Sequence, residues 1–109
     1  MLLTPVTSIE HCKSVCVQDW SIYEIEYKGE LERHIVGFDF TDMWATRVST
    51  TIKSFDMEKM EAVTRSGRHY TLCGEPRETT MAPYPVWLDW CHYCGVEDSV
   101  NVTDQYKRH

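Results

Sequence analysis

The residues with the clearest potential for chemistry are cysteines and histidines near the two ends of the chain. They are His11, Cys12 and Cys16 on one side, and Cys91, His92 and Cys94 on the other. Two cysteine pairs at these spacings could supply four thiolates to a structural zinc ion. The alternative is that the C-terminal pair packs as small apolar side chains, because two tryptophans share its predicted helix face. We favour that alternative, predict no cofactor, and leave zinc binding open.

Catalysis by these residues is not expected. The spacing of Cys91 and Cys94 matches a redox pair, but the pair falls in the last turn of a predicted helix, where the helix dipole disfavours thiolates. Glu24 and Glu26 share one strand face about 7 Å apart, but paired acids act as catalysts only in a cleft that shifts a pKa. We predict no catalytic residue and no enzymatic activity.

A small cationic tip is predicted at the centre of the chain. Arg65 and Arg68 flank Ser66 and Gly67, and a Ser-Gly pair between two strand-like runs is typical of a tight hairpin turn. The two guanidinium groups could hold a phosphate or carboxylate group of a partner. Charges at hairpin tips commonly serve solubility, which is the alternative interpretation.

Alternating polarity predicts the elements that position these residues. Apolar side chains recur at every second position in residues 21–27, a short turn with Gly29 follows, and residues 31–40 return as a strand. Gly37 inside that strand predicts a bulge or a close approach of backbones. Residues 47–55 form a Thr-rich strand, and the hairpin of residues 61–74 comes next.

One helix is predicted after the strands. Pro83 and Pro85 introduce it, Gly95 ends it, and two Trp and two Cys residues form its apolar stripe. The fold class is therefore α+β, with an antiparallel meander of about five strands and one C-terminal helix packed on one face. We predict a single domain over residues 1–109, with a lead-in (1–18, helix or strand), a sheet (19–74) and a helix (82–95). The predicted core is Tyr23, Ile25, Val36, Phe38, Ile52, Tyr70, Leu72, Trp87 and Trp90.

The net charge of −6 is concentrated in residues 19–42. That segment carries seven acids against Lys28 and Arg33: Asp19, Glu24, Glu26, Glu30, Glu32, Asp39 and Asp42. Direct nucleic-acid binding is disfavoured, because it requires a basic surface. We predict that the seven acids form a partner-binding surface for a basic protein groove. A solvated strand face is the alternative.

Composition points to a protein of the cytoplasm. No apolar run approaches the ~20 residues that span a bilayer, and the first residues lack the features of a signal peptide. Five cysteines are an odd number, so a framework of disulfides is not expected. No oligomeric state is predicted.

Three motifs together resemble a family. They are RHIVGFD at 33–39, VTRSGRHYTLCGEP at 63–76 and VWLDWCHYCGVED at 86–98, followed by NVTDQY at 101–106. In this order they resemble small uncharacterised proteins encoded by proteobacteria, their phages and their prophages. The sequence departs from that pattern at 75–78, where it has EPRE instead of a Pro-Pro-Gly-like linker.

The resemblance implies a mobile-element protein that acts against host defence. We therefore expect a non-enzymatic phage or prophage protein that inhibits a host protein or nucleoprotein defence complex, such as a CRISPR effector, through its acidic surface. Membrane association is not expected. The alternatives are a small structural or accessory phage protein that mediates assembly, and a zinc-stabilised binding module.

Overall fold

The computed structural model of the chain describes residues 14–40 and 45–107. These residues form seven strands, one α-helix and one 3-10 helix. The elements are β1 (Ser14–Tyr27), β2 (Glu30–Asp39), β3 (Thr46–Val48), β4 (Ile52–Asp56), β5 (Glu61–Thr64), β6 (His69–Cys73), α1 (Pro85–Cys94), β7 (Val100–Asn101) and the 3-10 helix Thr103–Tyr106. None of the helices in this described part is long and apolar enough to cross a membrane.

The long strand β1 lies at the centre of the sheet. It pairs with β2 antiparallel, with β6 parallel over its first five residues, and with β7 antiparallel near its end. The sheet order is β3-β2-β1-β6-β5-β4, with β7 beside β1. The predicted α+β class is confirmed, but a purely antiparallel sheet of about five strands is wrong in detail. Part of the predicted lead-in is strand from Ser14, and its buried Val15 and Val17 add the parallel pairing with β6.

The predicted strand over residues 47–55 is interrupted. Residues 49–51 separate β3 from β4, which are the two edge strands of the sheet, and bond to β2 and to the residue after β5. The Ser49 N–H donates to the Ile35 carbonyl at 2.8 Å, and the Arg65 N–H donates to the Thr51 carbonyl at 2.8 Å. The sheet therefore curls into an incomplete barrel, whose two edges this short segment connects.

A β-bulge bends β1 where it passes Gly37. The pairing of β1 with β2 shifts between Gln18 and Ser21, and Asp19 has a positive φ of 50°. A Cβ atom at Gly37 would lie 3.2 Å from the Val17 Cβ and 3.3 Å from the Gln18 carbonyl oxygen. The predicted close approach of backbones at Gly37 is confirmed.

Two apolar clusters lie on opposite faces of the sheet. The larger one fills the barrel with Val15, Val17, Trp20, Ile22, Ile35, Met60, Ala62, Tyr70, Leu72 and Val102. The smaller one, beneath α1, consists of Tyr23, Ile25, Val36 and Trp87. Of the predicted core, Phe38, Ile52 and Trp90 are only half-buried.

The predicted helix is confirmed, but it begins at Pro85 and not at residue 82, and Gly95 ends it as predicted. Pro85 begins α1, and Gly95 ends it in the left-handed conformation with φ 71°. The Trp87 ring stacks on Tyr23 at 4.8 Å and on Trp90 at 5.2 Å between ring centroids. The helix therefore covers the β1–β2 face that carries Tyr23 and Val36.

Candidate functional site

Six of the seven predicted partner-binding acids lie on the β1–β2 hairpin. The seventh, Asp42, lies outside the described residues. The structure divides the six into acids that are bonded to an arginine and acids that are not.

Asp39 and Glu32 are buried, so they cannot contribute to a contact surface. Asp39 has no exposed surface and accepts a hydrogen bond from the Arg47 Nε at 2.9 Å. Glu32 is 8% exposed and bonds to the Arg65 Nη2 at 2.6 Å and the His34 Nε2 at 3.1 Å. Burial opposes ionisation of Glu32, but the hydrogen bonds from Arg65 and His34 outweigh it and lower its pKa. The prediction that both acids form the surface is therefore wrong.

Asp19 is closer to the surface but is held in place by two side chains. Its carboxylate accepts hydrogen bonds from Arg77 and from the Tyr84 hydroxyl, the latter at 2.7 Å. Burial, together with the hydrogen bond to Asp19, raises the pKa of Tyr84 to about 12. These contacts anchor the loop before α1 to the bulge of β1, which gives Asp19 a structural role.

Glu24 is also paired within the chain. Its carboxylate bonds to Arg33 on the neighbouring strand at 3.0 Å. The Arg33 guanidinium also donates to the Gln105 side chain and the Tyr106 hydroxyl, each at 2.9 Å. Glu24 therefore helps to fix the 3-10 helix on the sheet, and Arg33 balances its charge.

Glu26 and Glu30 are the acids that stay exposed, and within the described residues neither forms an ion pair. Glu26 pairs with Leu31 across the strands, and Leu31 is 70% exposed. Val100, which is 58% exposed, pairs with Glu24 one row further along β1. We call Glu26, Leu31 and Val100, with Glu30 in the adjoining turn, the hairpin-end patch.

Among the described residues, the structure does not bring the candidate zinc ligands of the open alternative together. His11 and Cys12 lie outside the described residues, and among residues 14–40 and 45–107 no group of three or more His, Cys, Asp or Glu side chains could hold a metal ion. Cys16 lies in β1, where its thiol is close to Cys73 of β6. Cys91 lies on the helix, packed against the apolar cluster.

Two of these thiols, those of Cys73 and Cys91, have a raised pKa. Burial raises the pKa of Cys73, with a smaller contribution from the Cys16 thiol. Burial also raises the pKa of Cys91, aided by the neighbouring Cys94. Raised thiol pKa values weaken both metal binding and nucleophilic attack, because the thiolate is the reactive form.

Buried Glu32 and His34 form a polar network with the exposed Arg65, which was not predicted from the sequence. The alternation of β2 contained the necessary signal, since Glu32 and His34 share the face of buried Val36. The partner Arg65 lies 33 positions further on, at the predicted cationic tip. The predicted hairpin is confirmed, and Gly67 has a φ of 86°, but β5 ends at Thr64 and β6 starts at His69, so its connection is longer than a two-residue turn. The predicted cationic tip is wrong in part, because Arg68 is buried and, of the two arginines, Arg65 alone is exposed.

Comparison of the chain with protein families, with curated proteins and with solved structures finds no match. The resemblance to phage and prophage proteins therefore stays a prediction. The proposals that follow are based on the geometry of the hairpin-end patch and of the network of Glu32, His34 and Arg65.

Proposed function

We propose that this chain is a non-enzymatic phage or prophage protein that binds and inhibits a host defence complex, such as a CRISPR effector, in the host cytoplasm. The observation that carries the proposal is the hairpin-end patch, where exposed acids that form no ion pair with any described residue adjoin two exposed apolar side chains. The contact is thus assigned to Glu26 and Glu30, a smaller set than the seven acids of residues 19–42.

The patch combines two properties that suit a basic protein groove. Leu31 and Val100 supply apolar surface that becomes buried on binding, which is the main source of affinity. Glu26 and Glu30 supply negative charge that is free to steer the encounter and to pair with Lys or Arg of the partner. Asp19, Glu24, Glu32 and Asp39 already bond to arginines of this chain, so they offer much less charge to a partner.

The test is a pull-down of tagged protein from host lysate at low and high salt. The variant Glu26→Lys/Glu30→Lys reverses the charge of the patch. The matched control Glu58→Lys/Glu61→Lys reverses two exposed acids on the β4–β5 hairpin. We expect the wild type and the control to recover a basic nucleic-acid-handling complex at low salt, with loss at high salt and in the patch variant.

Inhibition is measured in parallel as protection of a challenge phage or plasmid from the defence system. The proposal predicts protection by the wild type and the control, and none by the patch variant. Two results would overturn it: equal recovery and protection with the patch variant, or recovery only of the protein itself and of phage structural proteins. The latter result would support the assembly alternative.

A further inference from the structure

A cavity of about 240 Å³ opens between the β1–β2 hairpin, residues 49–51 and the last turn of α1. Its apolar side includes Tyr27, Val48 and Trp90, and its polar side includes Glu32, His34 and Arg65. Glu32 and His34 are both more than nine-tenths buried. This cavity lies on the face of β1 and β2 opposite to Glu26 and Leu31, because neighbouring residues of a strand point to opposite faces.

Two hydrogen bonds hold His34 in the polar side of the cavity. Its Nδ1 lies 2.7 Å from the Ser49 carbonyl oxygen, which can only accept. Its Nε2 lies 3.1 Å from the Glu32 carboxylate, which also accepts when ionised. These two contacts fix the imidazole ring in the wall of the cavity and engage one oxygen of the Glu32 carboxylate.

Arg65 has donors to spare at the cavity. Its side chain is 52% exposed, and its Nη2 bonds to Glu32 at 2.6 Å. Within the described residues, the Arg65 side chain makes no other hydrogen bond. A carboxylate entering the cavity would therefore meet unoccupied guanidinium N–H groups beside an apolar wall.

We propose that this cavity binds a small aromatic carboxylate, with its ring against Tyr27, Val48 and Trp90 and its carboxylate on Arg65. Aromatic walls next to a carboxylate can also hold a quaternary ammonium ion. Here, however, the Glu32 carboxylate already bonds to His34 and Arg65, so a cationic ligand would meet the Arg65 guanidinium beside a carboxylate that is already paired. At about 240 Å³ the cavity is smaller than the ~300 Å³ typical of drug-sized ligand sites, which restricts the ligand to about one ring.

The experiment titrates the full chain with benzoate, benzamide and benzyltrimethylammonium, followed by ¹H–¹⁵N NMR of the backbone and indole N–H groups. Benzoate is expected to saturate with a dissociation constant on the order of 1 mM, moving the signals of Trp90 and of the residues around Arg65. Benzamide has the same shape without the charge, and we expect it to bind at least about tenfold more weakly.

Two variants assign the binding to Arg65. Arg65→Gln should weaken benzoate binding about tenfold or more, and Arg65→Lys should have an intermediate effect, because it retains the charge and its contact with Glu32. Lys53→Gln removes an exposed positive charge of β4 and should leave binding unchanged. NMR spectra of each variant confirm that it is folded.

Three outcomes would overturn this proposal: no saturable shift with benzoate, equal binding of benzoate and benzamide, or preferential binding of the ammonium probe. None of them bears on the pull-down experiment, since the hairpin-end patch lies on separate residues.

Discussion

The acids of the β1–β2 hairpin form two groups that differ in surroundings and not in chemistry. Asp19, Glu24, Glu32 and Asp39 each bond to an arginine, and the partners are Arg77, Arg33, Arg65 and Arg47, respectively. Glu26 and Glu30 have no such partner within the described residues. A run of acids in a sequence therefore shows only the local composition of the chain. The charge that a partner would meet depends on which distant arginines the fold brings to the run.

The largest effect on stability is expected for a substitution of Asp39. Asp39→Asn removes the charge of one partner of a buried ion pair with Arg47, and breaking a buried pair costs about 3–5 kcal/mol. Urea denaturation measures the loss of unfolding free energy, with exposed Asp98→Asn as a control that should change it by less than about 0.5 kcal/mol. A loss below about 1 kcal/mol for Asp39→Asn would show that burial does not separate the two groups of acids.

Glu32 should give a smaller effect that depends on pH. Its pKa is lowered by Arg65 and His34 against the effect of burial, so its ionised form stabilises the fold above the ordinary value of 4.5. That contribution is lost as the pH falls through the lowered pKa of the folded state. Glu32→Gln should cost about 1.5–3 kcal/mol at neutral pH, because hydrogen bonds to a charged group are lost.

Stability curves of the wild type and Glu32→Gln from about pH 7 down to about pH 3 test this sign. The difference between the two proteins should shrink as the pH falls below 4.5. A difference that stays constant across this range would contradict ionised Glu32 as the source of the stabilisation.

The effect of a Glu24 substitution on stability should lie between those of the buried acids and those of the exposed acids. It and Arg33 are partly exposed, with side-chain exposures of 25% and 31%. We expect Glu24→Gln to cost about 0.5–1 kcal/mol, and the cost to decrease in about 1 M salt because ions screen the pair. Denaturation at both salt concentrations measures it, and a cost above about 2 kcal/mol would place Glu24 with the buried acids.

The smallest effect on stability is expected for the exposed acids. Glu26→Gln/Glu30→Gln should change the unfolding free energy by less than about 0.5 kcal/mol, since neither acid has an ion pair to lose in the described structure. The same denaturation experiment measures it. A loss above about 1 kcal/mol would mean that these acids serve the fold, and the comparison between the groups would fail.

Much of the local structure could be predicted from the sequence. Alternation placed the hairpin around Gly29 and the strand that contains Gly37, and proline and glycine placed the ends of α1. These signals depend only on residues close together in the sequence, so they can be recognised without knowing which segments pack against each other. The candidate site was only partly accessible. Glu26 and Glu30 were among the predicted acids, but nothing in the local pattern separated them from Glu24 and Glu32.

The two errors in the predicted strands, at residues 14–18 and at residues 49–51, share a physical cause. Val15 and Val17 are too few to identify a strand by themselves, and they become one because β6 lies beside them. Residues 49–51 have the pattern of the middle of a strand, but their backbone groups bond to Ile35 of β2 and to Arg65 after β5. Both outcomes depend on contacts between segments that are remote in sequence, which intrinsic strand preference does not encode.

The sequence by itself determined the α+β class, the hairpins, the helix with its Trp stripe and the excess of negative charge near residues 19–42. These follow from periodicity, turn residues and composition, all of which act locally. The tertiary structure decided the rest. It curled the sheet around β1, bonded four acids to arginines between 8 and 58 positions away, and left Glu26 and Glu30 exposed. Pairing of charges requires proximity in space, and only the folded chain provides that.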